Sequence, residues 1–317
     1  MRRVTRVRRV AAKTHHVVQY SGGIGSWATS MRVRERYGTS GLELLFADTL
    51  IEDQDLYRFL IESAAVVLDV PIPYNLAERA IHLPSVSDDA EQESYRRGEL
   101  LEISKGAVEA IPGLRWIHEG RDPWEVFFDR RFLGNTRIDP CSEALKRQFL
   151  RRWMEEHHTP RNTTAYIGID WTEEHRLDRA RDLWRPWVVE APLCEPPLHA
   201  KSAFTDQLQD LGIARPRLYD EGFPHNNCGG FCIKAGMAHF KLLAQKRPET
   251  YAYHERRERE LREFLGKDVA ILRDRTQDAR AGNDGKPVPL TLENFRLRLI
   301  EGGEIDEFDW GGCGCAI

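Results

Sequence analysis

Residues 19–33 read QYSGGIGSWATSMRV, and their reading decides the fold. The apolar run HVVQY (16–20) leads into them and has the length and composition of a buried strand. It stops at Ser21-Gly22-Gly23, and a helical pattern opens at a second serine, Ser26, and closes at Gly38. Adjacent glycines let a backbone take positive φ or approach a ligand closely. A helix N-terminus beyond them presents unpaired N–H groups and the positive end of a dipole. Strand, glycine turn and helix in that order make an anion site suited to phosphate.

Outward from this stretch, strand-like and helix-like segments alternate. LELLFAD (42–48), VPIPYN (70–75), RWIHEG (115–120), TAYIGID (164–170) and WVVEAPL (187–193) read as strands. Segments 53–69, 141–158 and 173–184 read as helices. Such alternation predicts an α/β fold with a parallel, doubly wound, Rossmann-like sheet covered on both faces. After residue 200 the pattern changes. A short helix at 202–212, with Ser202 or Thr205 as its cap, precedes a cysteine loop, HNNCGGFCIKAG (225–236). Helices follow at 238–246 and 248–266, the second opening on proline. Residues 275–289 are polar and glycine-containing and read as a mobile loop. The chain divides into a basic arm at 1–13, a nucleotide-binding domain at 14–200, and a helical C-terminal region at 201–317 carrying a cysteine loop and a cysteine tail.

The chain has 317 residues, 41% hydrophobic and 30% charged, the balance of a soluble globular protein. No apolar run is long enough to span a bilayer, and the N-terminus lacks the apolar core of a secretory signal. The expectation is a cytoplasmic protein without a membrane partner. Net charge is −4, but residues 1–13 carry +6, leaving −10 on the rest. A basic arm on an acidic body fits a nucleic-acid backbone or a solubilising tail.

The loop Ser21, Gly22, Gly23, Ile24, Gly25, Ser26 lacks the Lys-Ser/Thr of a Walker A motif and the glycine spacing of a dinucleotide fingerprint. It matches SGGxxS and so resembles the pyrophosphate loop of the PP-loop ATP pyrophosphatases, which include the PAPS reductase-like proteins. The resemblance implies a HUP-type fold, binding of ATP with Mg²⁺, and cleavage between the α and β phosphates that adenylates a substrate. Further blocks are similar to the same family. In FADTLIED (46–53), Asp48 and Thr49 end a strand, with Glu52 or Asp53 following. In GNTRIDPCSEALKR (134–147), Cys141 and Ser142 precede a helix carrying Lys146, with Arg137 nearby. In GIDWTEEHR (168–176), Asp170, Glu173 and Arg176 follow a strand. PRLYDEGFPHNNCGGFC (216–232) resembles a block found in the sulfurtransferases of DNA phosphorothioation. The resemblance implies catalytic roles for Asp48, Arg137, Cys141 and Lys146, with Asp48, Thr49 and Asp170 beside the nucleotide. It departs in the tail, Gly-Gly-Cys-Gly-Cys, where a PAPS reductase has a Glu-Cys-Gly-like setting. The acceptor implied is a nucleobase or nucleic acid, with a sulfur-donor protein as partner. A PAPS/APS reductase-like oxidoreductase and a non-catalytic nucleotide-binding component of a nucleic-acid modification or defence complex are the alternatives.

Six cysteines cluster: Cys228 and Cys232 in one loop, Cys313 and Cys315 in the tail, with Cys141 and Cys194 apart. Four thiolates satisfy an iron–sulfur cluster or a tetrahedral zinc. A metal-free redox set, with the tail pair as nucleophile and resolving thiol, is the third reading. Cys141 replaces one of the four if its loop folds towards residue 228. Cys194 reads as a core thiol. His15 and His16 read as surface residues, and HERRERELRE (254–263) as a solvated helix face. Trp116, Trp124, Phe127 and Phe128 either stack a base or pack beneath a long loop.

Overall fold

The structure is a computed structural model that describes residues 14–135 and 138–312, with backbone alone at Asp278. The basic arm 1–13, Arg137, Cys313 and Cys315 lie outside the described residues.

Five parallel strands form the central sheet: β1 (His15–Gln19), β2 (Leu42–Asp48), β3 (Leu114–His118), β4 (Thr163–Tyr166) and β5 (Val188–Glu190). Their order is β3-β2-β1-β4-β5, with Val18 of β1 beside Leu44 of β2 and Tyr166 of β4. The chain winds outward from β1 through β2 and β3, then returns to β4 on the other side of β1. That reversal opens a crevice at the carboxyl ends of β1 and β4, the place where open α/β sheets bind ligands.

Alternate side chains of each strand feed opposite faces. Val18, Leu44 and Phe46 join one core with Trp27 of α1 (Ile24–Tyr37), Phe59 and Leu60 of α2 (Gln54–Leu68), Ala80 of α3 (Tyr74–Ile81) and Ile103 of α4 (Ala90–Ala110). The other face buries Val17, Leu45 and Ala47. The short α5 (Pro123–Asp129) precedes a long interrupted helix: α6 (Pro140–Ser142), a π-helical turn (Glu143–Arg147) and α7 (Gln148–His157). Leu150 and Met154 of α7 and Ala180 of α8 (Leu177–Trp184) cover the second face. Both faces being covered explains why the strands are nearly continuous in apolar residues.

The C-terminal region begins with α9 (Lys201–Asp210) and α10 (Arg217–Asp220), followed by α11 (Met237–Lys246) and α12 (Pro248–Leu265). An antiparallel pair, β6 (Leu272–Asp274) and β7 (Val288–Leu290), brackets α13 (Gln277–Ala281), and α14 (Leu292–Ile300) follows. Phe204, Leu208 and Ile213 pack into the first core. Phe231, Phe240, Tyr251, Leu261 and Phe295 build another core together with Ile51, Trp124 and Phe127 from the first half of the chain. The chain end then returns: Ala235 pairs antiparallel with Gly311, Ala238 N–H donates to Asp309 O at 2.9 Å, and Gly312 N–H donates to Lys234 O at 3.0 Å. Gly311 has φ +68°, and a Cβ there would fall 2.2 Å from Lys234 O.

Several expectations are corrected. Residues 70–75 are not a strand, because Pro71 and Pro73 offer no N–H to a ladder, and Tyr74 already opens α3. α1 begins at Ile24, with Ser26 inside its first turn. Ser202 and Thr205 lie inside α9, whose N-cap is Ala200. The 275–289 segment forms α13 and β7. His16 is buried, stacked on Tyr37 at 4.1 Å and bonded through Nδ1 to Tyr166 Oη at 2.8 Å, because β1 is the central strand. In the 254–263 run, His254, Glu255, Glu258 and Leu261 form a buried stripe, since α14 and β6 cover that side of α12. Among the described residues no helix is long and apolar enough to cross a membrane.

Candidate functional site

The Ser21–Ser26 turn leaves β1 at the crevice. Gly22 has φ +73°, and a Cβ there would meet Leu56 Cδ2 at 2.8 Å, so the residue must be glycine on both counts. Gly23 is the N-cap of α1 and brings no side-chain acceptor to the helix end. The first N–H groups of α1 therefore face the crevice without a capping side chain, the arrangement that binds anions. Ser26 Oγ ties the turn to itself, donating to Gly23 O at 2.9 Å while Ser21 N–H and Ser21 Oγ donate to it at 3.2 and 3.3 Å. Gly168, past the end of β4, comes so close to α1 that a Cβ there would sit 3.0 Å from Ser26 N.

Asn226 reaches the same turn from the C-terminal region. It is buried, its Nδ2 donates to Gly22 O at 3.1 Å, and its Oδ1 makes no hydrogen bond. Gln19, the last residue of β1, is also buried, with both amide atoms lacking a hydrogen bond. Orphaned amides beside a glycine turn are polar groups with capacity left for a ligand.

Asp48 ends β2 and is wholly buried. Its Oδ1 accepts from Leu50 N–H at 2.7 Å and Tyr57 Oη at 3.0 Å, and its Oδ2 from Trp116 Nε1 at 3.0 Å. Burial pushes its carboxyl above the usual range, and these donors pull it back. With both oxygens used by protein donors, Asp48 fastens β2 to α2 and β3, and no magnesium contact is assigned to it.

The next acid forms a hub. Glu52 is buried; its Oε1 accepts from Thr49 Oγ1 at 2.9 Å and lies 3.6 Å from Lys146 Nζ. Its Oε2 accepts from Cys228 N–H. Burial raises its pKa, opposed by Lys146. One carboxylate thus joins the turn after β2, the π-helical turn holding Lys146, and the cysteine loop. Asp53 instead caps α2 through Asp55 N–H and pairs with Arg217 at 2.8 Å.

Beside this hub lies a small cavity of about 20 Å³, lined by Thr49, Cys141, Lys146, Cys228, Cys232 and Lys234, among others. Three of the expected thiols therefore converge, with Cys141 joining the pair from the cysteine loop. Cys228 has φ +54°, a left-handed conformation uncommon for a residue with a side chain and a strain that functional loops store. His239 holds the loop from behind, with Nε2 2.7 Å from Gly230 O. Cys313 and Cys315 lie outside the described residues, but Gly312 is bonded to Lys234, which lines the cavity.

Other expected residues fall elsewhere. Asp170 caps the turn Trp171–Arg176, accepting from Thr172 N–H at 2.9 Å, and lies 3.6 Å from Lys201 Nζ. Glu173 and Arg176 pair with each other. Cys194 is half-buried, its thiol 3.5 Å from Ile169 O, and burial raises its pKa. Trp116, Trp124 and Phe127 are core side chains rather than a stacking platform, and Phe128 is covered by Arg257 at 5.0 Å. Lys234 is expected beside the cysteine loop from its place in the sequence, whereas Asn226 and the central role of Glu52 are not singled out by it. The Asn-Asn pair before Cys228 was the available signal. No family model, no curated protein and no solved structure matches this chain.

Proposed function

We propose that the chain is a PP-loop ATP pyrophosphatase of HUP-type fold that adenylates a substrate and then transfers sulfur to it. The observation carrying this reading is the convergence of the uncapped Ser21–Ser26 turn and a three-thiol, two-lysine cavity at the carboxyl end of the strands, bridged by Asn226 and Glu52.

The β and γ phosphates of ATP bind the N–H groups of the turn and its serine hydroxyls. Magnesium is carried by phosphate oxygens and water, as that ion prefers. A substrate oxygen attacks the α phosphorus, the bond to the β-phosphate bridging oxygen breaks, and pyrophosphate leaves. A sulfur nucleophile then attacks the activated carbon and loses its proton to solvent; the carbon–oxygen bond breaks, and AMP leaves carrying that oxygen and the electron pair. Lys146 and Lys234 supply positive charge near the reacting groups, and the fold supplies position.

The thiol geometry bears on the metal. A tetrahedral zinc with bonds of about 2.3 Å holds its sulfurs about 3.8 Å apart. Among the described residues, no trio of cysteines brings its sulfurs within 4.8 Å of one another. An iron–sulfur cube spreads its thiolates wider, and Cys141, Cys228 and Cys232 would be three of its ligands, with one from Cys313 or Cys315 as the fourth. When bound, such a cluster supplies sulfur and electron handling.

Two measurements test the reading. Protein purified without oxygen is assayed for iron, zinc and acid-labile sulfide; about four irons and four sulfides per chain are expected, by the composition of a [4Fe–4S] centre. Pyrophosphate release from ATP is compared with that of the Ser21→Ala/Gly23→Ala double variant. A wild-type rate in that variant removes the loop assignment. One zinc and no colour leaves adenylation standing and removes the cluster.

A further inference from the structure

We propose that His15, Glu43 and His158 form a second metal site, for a first-row divalent cation of the zinc class, at the opposite end of the sheet from the Ser21–Ser26 turn. His15 opens β1, Glu43 is the second residue of β2, and His158 directly follows α7. One ligand atom from each lies within 4.8 Å of the other two.

His158 Nε2 is 3.2 Å from Glu43 Oε1, and the His158 side chain is only 5% exposed. An imidazole nitrogen and a carboxylate oxygen facing each other across that gap are a donor pair that one divalent cation can bridge. Two atoms bound at about 2.0–2.2 Å to a tetrahedral or octahedral ion lie roughly 3–3.5 Å apart, which the Glu43–His158 pair at 3.2 Å matches. Arg115 Nε donates to the other oxygen, Glu43 Oε2, at 2.8 Å, so Oε1 is turned towards the imidazoles. A ligating carboxylate held by an outer donor is the usual second layer of a metal site. The Trp153 ring, 5.4 Å from that of His158, closes one side.

Two imidazoles and one carboxylate select borderline cations such as Zn²⁺ over Mg²⁺ or Ca²⁺, which prefer all-oxygen shells. The ion would tie the start of β1, the start of β2 and the exit of α7 into one clamp. It is independent of the cysteine cavity, which lies at the other end of the strands.

Cobalt distinguishes the two. The full chain is stripped with chelator and titrated with Co²⁺. Thiolate ligation gives intense near-ultraviolet charge-transfer bands, whereas imidazole and carboxylate give visible bands alone. We expect one equivalent of thiolate-free cobalt, and a rise in melting temperature with Zn²⁺. His15→Gln, at a partly exposed strand start, and Glu43→Gln should each weaken that equivalent at least tenfold, as loss of even an outer partner can do. Wild-type protein that takes up no thiolate-free cobalt overturns the site. So does a folded His15→Gln protein, checked by circular dichroism, that binds cobalt as tightly as wild type.

Discussion

Glu52 is held by a hydroxyl, a backbone amide and an ammonium from three separate parts of the chain. Removing it takes a buried carboxylate from beside Lys146 and an acceptor from Cys228 N–H. Breaking one side of a buried pair costs about 3–5 kcal/mol. Glu52→Ala should therefore lose about that much in chemical denaturation. Glu52→Gln, which keeps oxygen for one donor, should lose about 1–3 kcal/mol. Equal losses, or none, mean that Glu52 does not organise the site. At this scale the sequence was uneven. Gly22 and Ser26 were legible because strand, glycines and helix are contiguous. Glu52 was legible only as an acid near a strand end, since its Cys228 contact spans 176 residues.

Helices and strands were legible wherever one periodicity ran unopposed, as in β2 and α12. Failures came where two signals competed. Prolines broke the 70–75 run, and polar residues concealed α4, whose apolar stripe is thin: Leu100, Ile103 and Ala107 with a buried Arg96. Charged α12 concealed a buried face because its acids serve the backbone. Glu258 accepts from Ile271 N–H at 2.8 Å and Leu292 N–H at 2.6 Å, joining α12 to β6 and α14. Burial pushes its pKa up to about 7 against those donors. His239 on α11 moves the other way: burial, then neighbouring His225, brings its pKa down to about 4. Between pH 4.5 and 7 folded Glu258 keeps a proton that the unfolded chain has lost, so its contribution to stability falls as pH rises. Between 6.5 and 4 unfolded His239 takes up a proton that the folded state refuses, so its contribution falls as pH falls. Relative to wild type, Glu258→Gln should gain stability as pH rises from about 4.5 to 7. His239→Gln, keeping a donor for Gly230 O, should gain it as pH drops from 6.5 to about 4. Urea midpoints across that range read both slopes, and slopes of the same sign would contradict the assignment.

The alternation of strands and helices made a parallel sheet legible, but not its order. Placing β4 beside β1 depends on contacts between segments about 150 residues apart, such as His16 with Tyr166. The return of the chain end was equally hidden, because it rests on backbone meeting backbone. Gly311 takes a left-handed φ and lies against Lys234 O, while Asp309 O accepts from the first turn of α11. A side chain at 311 has no room and the wrong backbone preference, a penalty of about 1–3 kcal/mol before the clash is counted. Since 1.4 kcal/mol is a factor of about ten, Gly311→Ala should open this contact at least tenfold more often. The amides that report it are Ala238 and Gly312, the donors to Asp309 O and Lys234 O. Their hydrogen exchange should quicken by that factor, while the amides of β1 and β2 keep wild-type protection. If all of these slow and fast amides shift together, the tail is part of the global core. If none shifts, Gly311 does not fasten residues 309–312 against Lys234 and α11.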